Sequence, residues 1–205
     1  MATRQVVYVV LVDGNSTRVI PDERKKPEGP SNLERVGSLL EDHAVEVVAE
    51  HAVEGAVTSA MPFAHVLLAA APMIGMLASV AMASKSIDPK ASIGVLPADR
   101  PGVRKDTLDR CERAFDGSSA DVAYPVAGGQ AGYPVYLSPE ARERLAQMPE
   151  GDLLKAVQSD ASLQKLAVDC RDVGIYLDLG TPEQRREAER RLAEIPSIER
   201  SAPRT

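Results

Sequence analysis

The run Gln5–Leu11, QVVYVVL, restricts the fold more than any other part of this chain. Six of its seven residues are apolar and no polar residue alternates with them, so it reads as a strand buried on both faces. Such a strand belongs inside a largely parallel sheet covered by helices above and below. The rest of the chain supplies those helices. Ser31–Asp42, SNLERVGSLLED, has a Ser cap, a Glu three residues on, and Leu33, Val36, Leu39 and Leu40 at helical spacing. Residues 44–57 fit either a strand or a helix. His65–Ala71 reads as a strand, and Pro72 suits the first position of a helix that continues through MIGMLASVAMASK. Ile93–Leu96 is the next strand, followed by a helix over Arg104–Phe115 with Leu108, Cys111 and Phe115 on one stripe. Short strands at Asp121–Val126 and Pro134–Leu137 flank the loop AGGQAG. Helices over Pro139–Gln147 and Gly151–Gln158 lead to strands at Leu166–Val168 and Ile175–Leu177, and a closing helix, Pro182–Glu194, is capped by Thr181. Strands alternating with helices predict an α/β fold, Rossmann-like, in three layers around a mostly parallel central sheet. We expect one domain over residues 1–195 and a polar tail over 196–205.

Composition removes several functions. The net charge is −6 and the two signs are interspersed, so no cationic face is offered to nucleic acid. Arg185, Arg186, Arg190 and Arg191 alternate with glutamates and read as a solvated helix face. The two cysteines, Cys111 and Cys170, lie far apart with no CxxC partner, which argues against a zinc site and suits the reducing cytoplasm. His43 and His51 are not spaced to put two ligands on one helix face. Residues 56–84 contain no Asp, Glu, Lys or Arg, a length that matches the roughly 20 residues needed to span a bilayer. The stretch is nevertheless broken by Pro62 and Pro72, carries His65, and is rich in alanine and serine, so two buried elements are expected and no membrane span.

Chemistry concentrates at the predicted strand ends. In SIGVLPADRPGV, residues 92–103, an apolar strand runs into a single carboxylate, Asp99, and a proline-broken turn. That arrangement can hold a metal at the edge of a sheet, or Asp99 can cap the turn before the next helix. Gly14, Ser16 and Arg18 follow the first strand, and Asp178 follows the last. Glycine lets backbone amides approach a phosphate, and arginine neutralises its charge. Asp13, Asn15 and Ser16 also suit an ordinary turn with side-chain to backbone hydrogen bonds.

The order LVDGNSTR, a basic segment, a helix, then PMIGMLASV, LPADRP, GYPV, GD and LDLGTPEQ resembles the MobA-like nucleotidyltransferases, over nearly the whole chain. That family, which includes the molybdenum-cofactor guanylyl- and cytidylyltransferases, reads LAGGxSxRMG then lysine, a GMxxS-like helix start, a DxP turn, and DIDTPED at the end. The resemblance implies the nucleotide-diphospho-sugar transferase type of fold. It also implies a nucleotide loop of Leu11, Gly14, Ser16 and Arg18, with Lys25 or Lys26 bridging phosphates and Arg24 competing for that place. By the same likeness Asp99 would hold Mg²⁺, with Asp178 as a second carboxylate. Gly132, Pro134, Gly151 and Asp152 would shape the acceptor side. Arg18 and Lys25 would be the catalytic cations, GTP or CTP the nucleotide, and a phosphorylated small molecule such as a molybdopterin-type cofactor the acceptor.

The chain departs from the family at several of these points. Val12 and Asp13 stand where two glycines are usual, and an aspartate beside a triphosphate repels it. Val19 and Ile20 replace methionine and glycine, Gly180 replaces the second aspartate of the last motif, and Tyr133 replaces a common histidine. Two function classes follow from the resemblance: a Mg²⁺-dependent nucleotidyltransferase, and a non-catalytic descendant that uses the same fold for binding or assembly. A nucleotide-sugar glycosyltransferase is a third, because it shares a nucleotide half-domain with a metal carboxylate.

Overall fold

The structure, a computed structural model, describes residues 4–12, 31–69, 75–148 and 150–177. Strand β1 (Val6–Val12) is buried from Val7 onward and lies between β2 (Ala44–Glu50) and β4 (Ser92–Pro97), parallel to both. Every amide in its centre is therefore paired and both its faces are covered, as the continuous apolar run requires. β3 (His65–Ala69) extends this parallel half beyond β2. On the other side β7 (Val135–Leu137) runs antiparallel to β4, and β5 (Val122–Ala127) antiparallel to β7. β8 (Lys165–Asp169) pairs parallel with β5, and β6 (Gln130–Ala131) forms a hairpin with it. The order is β3-β2-β1-β4-β7-β5-β6, a mostly parallel sheet flanked by helices as expected from the sequence.

The helices follow local rules. Helix α1 (Asn32–Leu40) opens with a reciprocal capping box: the Ser31 N–H donates to Glu34 Oε2 (2.6 Å) and the Glu34 N–H to Ser31 Oγ (3.2 Å). The ambiguous stretch 44–57 divides into β2, a 3-10 turn at His51–Val53 and helix α2 (Glu54–Ala60). Helix α3 (Met76–Ser84) begins after Gly75, whose φ of 98° is outside the helical region, and so not at Pro72. The described part of the charge-free stretch thus contributes to α2, to β3 (His65–Ala69) and to α3. No helix among the described residues is long and apolar enough to cross a membrane. Helices α4 (Lys105–Asp116), α5 (Pro139–Ala146) and α6 (Leu153–Ser159) match their expected ranges within a few residues. The closing helix expected at 182–194 lies outside the described residues.

A second expectation is overturned at the end of the described chain. Ile175 and its neighbours were suited to a strand by composition, yet Val173–Ile175 forms a 3-10 turn. The Asp172 side chain accepts from the Gly174 N–H (2.9 Å) and closes the chain locally, which competes with strand pairing. Gly174 also packs against Gly102: a Cβ on Gly174 would stand 1.9 Å from the Gly102 carbonyl oxygen. Only a residue without a side chain permits that approach.

Tyr8 and Tyr136 fill the core beside β4, both fully buried. Tyr8 Oη donates to Glu112 Oε2 (3.0 Å) and lies 2.9 Å from Tyr136 Oη, while Tyr136 Oη is 3.2 Å from the Leu108 carbonyl. Burial raises both phenol pKa values, so both stay protonated and serve as hydrogen-bonding core groups. Gly94 makes room for the two rings, since a Cβ there would lie 2.9 Å from Tyr8 Cε1 and 3.2 Å from Tyr136 Cε1.

Two stability predictions follow from these close approaches. Gly94→Ala overpacks the tyrosine pair and is expected to cost about 1–3 kcal/mol in urea unfolding. Gly174→Ala is expected to lower the urea midpoint further, because its clash is with backbone that cannot rotate away. Gly55→Ala, in helix α2 with nothing within 4 Å of its added Cβ, is expected to raise stability by about 0.5–1 kcal/mol.

Candidate active site

The parallel strands send their carboxyl ends to one edge of the sheet, the usual place for a ligand in an open α/β fold. Leu11 pairs with Pro97 across β1 and β4, and its carbonyl accepts from the Ala98 N–H (2.9 Å). This bond carries the ladder one residue past β4 and presents Asp99 at the edge. Leu11 itself is buried and its side chain serves the core. Asp99 is 27% exposed at its side chain and its Oδ2 lies 3.1 Å from Arg100 Nη1.

The second component is a break in the antiparallel half. Between the pairs Ala123↔Tyr136 and Val126↔Ala131, two residues of β5 face residues 132–135. The surplus residues form a bulge over Gly132, Tyr133 and Pro134, with a cis peptide between the last two. Because Val95 pairs with Val135, the bulge lies beside the end of β4 and hence beside the Asp99 turn. Gly132 is required there: its N–H donates to the Pro125 carbonyl (3.0 Å), and a Cβ would stand 2.4 Å from the Ile175 carbonyl oxygen. Pro134 is buried at the foot of the bulge.

Tyr133 connects the bulge to its surroundings. Its hydroxyl donates to Met76 Sδ (2.9 Å) at the start of α3. Burial raises its phenol pKa, and the negative charges of Asp152 and Asp99 push the same way while Arg100 opposes them. Tyr133 is thus within electrostatic reach of all three charged side chains. Asp152 caps α6 by accepting from the Lys155 N–H (2.9 Å). Gly75 sits beside Glu150 and Gly151, each about 4.0 Å from where its Cβ would be. The described residues therefore gather Asp99, Arg100, Gly132, Tyr133, Pro134 and Asp152 around one edge. Gly14, Ser16, Arg18, Lys25, Lys26 and Asp178 lie outside the described residues.

The alternative that Asp99 caps the following helix meets a competitor. The amino end of α4 is served by Asp172: its Oδ2 accepts from the Arg104 N–H (2.9 Å) and from Thr107 Oγ1 (2.7 Å). Asp172 is 4% exposed, and with the bond from Gly174 it receives three donors. Charge-assisted bonds of this kind contribute about 1.5–3 kcal/mol each. Sequence reasoning passed over Asp172 because its partners are 65 and 68 residues away; a lone acid near a strand end carries no signal of that kind.

Among the described residues no three His, Cys, Asp or Glu side chains cluster as a metal cage. Cys111 and Cys170 are both buried, and burial pushes the Cys111 thiol up to about 12, which leaves it protonated and unreactive.

A comparison with curated protein sequences finds no match. Among solved structures, Rv0371c from Mycobacterium tuberculosis is 23% identical, with a TM-score of 0.70 over 91% of this chain and 98% of its own. That protein has also been solved in complex with manganese. Molybdopterin-guanine dinucleotide biosynthesis protein A from Archaeoglobus fulgidus is 16% identical, with a TM-score of 0.66 over 92% and 100% of the two chains. A 4-diphosphocytidyl-2C-methyl-D-erythritol synthase is 16% identical, with a TM-score of 0.68 over 93% and 100%. These likenesses are of fold alone. Residues 9–166 match the MobA-like NTP transferase domain, and the chain belongs to that family.

Proposed function

We propose that this protein is a nucleotidyltransferase that moves a nucleoside monophosphate from a nucleoside triphosphate to a phosphorylated small-molecule acceptor. An acceptor phosphate oxygen attacks the α-phosphorus, the bond from that phosphorus to the bridging oxygen breaks, and pyrophosphate leaves with the electron pair. Catalysis of this kind rests on aligning two anions and neutralising the charge that develops on their oxygens. The observation that carries the reading is the approach of the Asp99 turn to the Gly132–Pro134 bulge at one sheet edge, in a chain of the MobA-like family.

In this reading Asp99, with Asp178, holds Mg²⁺. The donor set fits: a partly exposed carboxylate with no cage of protein ligands around it among the described residues suits an ion that takes one or two carboxylates plus phosphate oxygens. Magnesium, when bound, supplies neutralisation of the α-phosphate and of the departing pyrophosphate. Gly14, Ser16, Arg18 and Lys25 are assigned to the triphosphate, with Arg18 and Lys25 as the cations that offset its charge, and the Leu11 backbone leads into that loop. Gly132, Pro134 and Asp152 are assigned to the acceptor side. The names of the structural relatives, guanine dinucleotide in one and diphosphocytidyl in another, support GTP or CTP as donor and a molybdopterin-type cofactor as one acceptor to try first.

One observation favours a second reading, a binding or assembly protein without transfer. The Asp99 carboxylate lies within 3.1 Å of the Arg100 guanidinium, which offsets the charge a metal would use. Unfolding with each nucleoside triphosphate and Mg²⁺ separates the two. Transfer predicts stabilisation by GTP or CTP, about 2.7 kcal/mol at 100 times Kd. Asp99→Asn is expected to abolish the Mg²⁺-dependent part while circular dichroism stays unchanged. Nucleotide-independent stability with all four triphosphates at millimolar concentration would favour the binding protein.

A further inference from the structure

We infer that Asp172 is a positioning residue, through which the short segment 172–176 holds the Asp99 turn and the acceptor-side bulge in one fixed relation. The inference rests on the nucleotidyl-transfer reading of that edge. Three contacts tie the segment to the Asp99 side. Asp172 Oδ2 accepts from the Arg104 N–H and from Thr107 Oγ1, which fastens the exit of the turn and the first turn of α4. Asp172 Oδ1 accepts from the Gly174 N–H, so the same carboxylate shapes its own segment. Gly174 then lies directly on Gly102, whose added Cβ would be 3.2 Å from Gly174 Cα.

The opposite side of the segment grips the bulge. The Ile175 carbonyl accepts from the Tyr133 N–H (2.8 Å), and Gly132 packs against that same peptide. Ile175 is fully buried and Asp172 nearly so, so both grips operate away from water, where hydrogen bonds hold geometry more firmly. No other described segment bonds both to the exit of the Asp99 turn and to Tyr133. β4 and β7 do join the two regions through the sheet, but that pairing ends at Val95↔Val135, before either turn begins. Beyond that pair residues 172–176 bond to both turns, in addition to the separate ties of Ala98 to Leu11 and of Gly132 to Pro125.

The chemistry needs this spacing. A group that meets the donor phosphates and groups that hold the acceptor must agree in position to a fraction of an ångström for in-line attack, and small displacements are costly in rate. Asp172 is buried, so its effect is exerted through Arg104, and through Gly174 on Gly102, upon the Asp99 turn.

The experiment compares Asp172→Asn, Thr107→Val and Thr107→Ser with the unaltered protein. Amide hydrogen exchange is followed at 98–104, 131–135 and, as reference, β1 and β2; Mn²⁺ uptake with GTP or CTP is followed by loss of the free-ion electron paramagnetic resonance signal. Asp172→Asn is expected to speed exchange in both turns by roughly tenfold or more, with the reference strands unchanged. Mn²⁺ affinity should fall by a similar factor. Thr107→Val should show a smaller effect of the same kind, and Thr107→Ser, which keeps the hydroxyl, none. Should Asp172→Asn fail to fold, the Thr107 pair decides. Unchanged exchange in the two turns overturns the inference, as does equal acceleration in β1 and β2. Faster exchange with unaltered Mn²⁺ affinity leaves the clamp structural and overturns the positioning role. An unaltered protein that takes up no Mn²⁺ with either nucleotide counts against nucleotidyl transfer itself, and the exchange data then still decide whether Asp172 holds the turns.

Discussion

The parallel pairing of β1 with both β2 and β4 is the constraint from which the rest of the molecule is built. A strand of Val, Tyr and Leu residues cannot face water on either side, so it must be central, and its neighbours must be connected by helices that cover it. Parallel order also sends every one of these strands out at the same edge. Asp99 reaches that edge because β4 is a partner of β1 and because the ladder continues one bond further, from Ala98 to Leu11. The position of Asp99 at that edge is therefore a consequence of burial.

The second half of the sheet shows how such a scaffold is adapted. β7 enters antiparallel, and its junction with β6 carries surplus residues that form the bulge. Gly132 must be small because the Ile175 peptide lies against it, and Tyr133 must be buried because its hydroxyl finds Met76. The result is a turn whose shape is set from three directions: by β5, by the start of α3 and by the segment 172–176. Under the proposed function, a bulge held from three directions suits the acceptor side of a reaction that aligns two anions.

How far the sequence could be read differed with the range of the forces involved. α1, α4 and α5 were legible to within a few residues, because caps and apolar spacing act over one or two helical turns. Helix α3 began four residues later than its proline suggested, since Gly75 takes a positive φ that no spacing rule anticipates. Val173–Ile175 was composed like a strand and became a 3-10 turn, because Asp172 bonds within its own segment as well as to α4. Asp99 is marked by its strand-end turn, and Gly132, Pro134 and Asp152 only by the resemblance to the family. Asp172 is marked by neither, since the residues it binds are remote in the chain.

The amino-acid order alone determined that this chain forms an α/β sheet with β1 buried, that helix α1 begins at the Ser31 cap, and that it carries the motifs of a MobA-like protein. Those properties depend on periodicity and on contacts within a few residues, which a linear text records. Tertiary structure decided which strand ends meet, where the bulge falls beside Asp99, and which buried acid holds the amino end of α4. Such matters depend on groups that come within 3 Å only after some 40 to 70 intervening residues have folded around them, and no local pattern encodes that encounter.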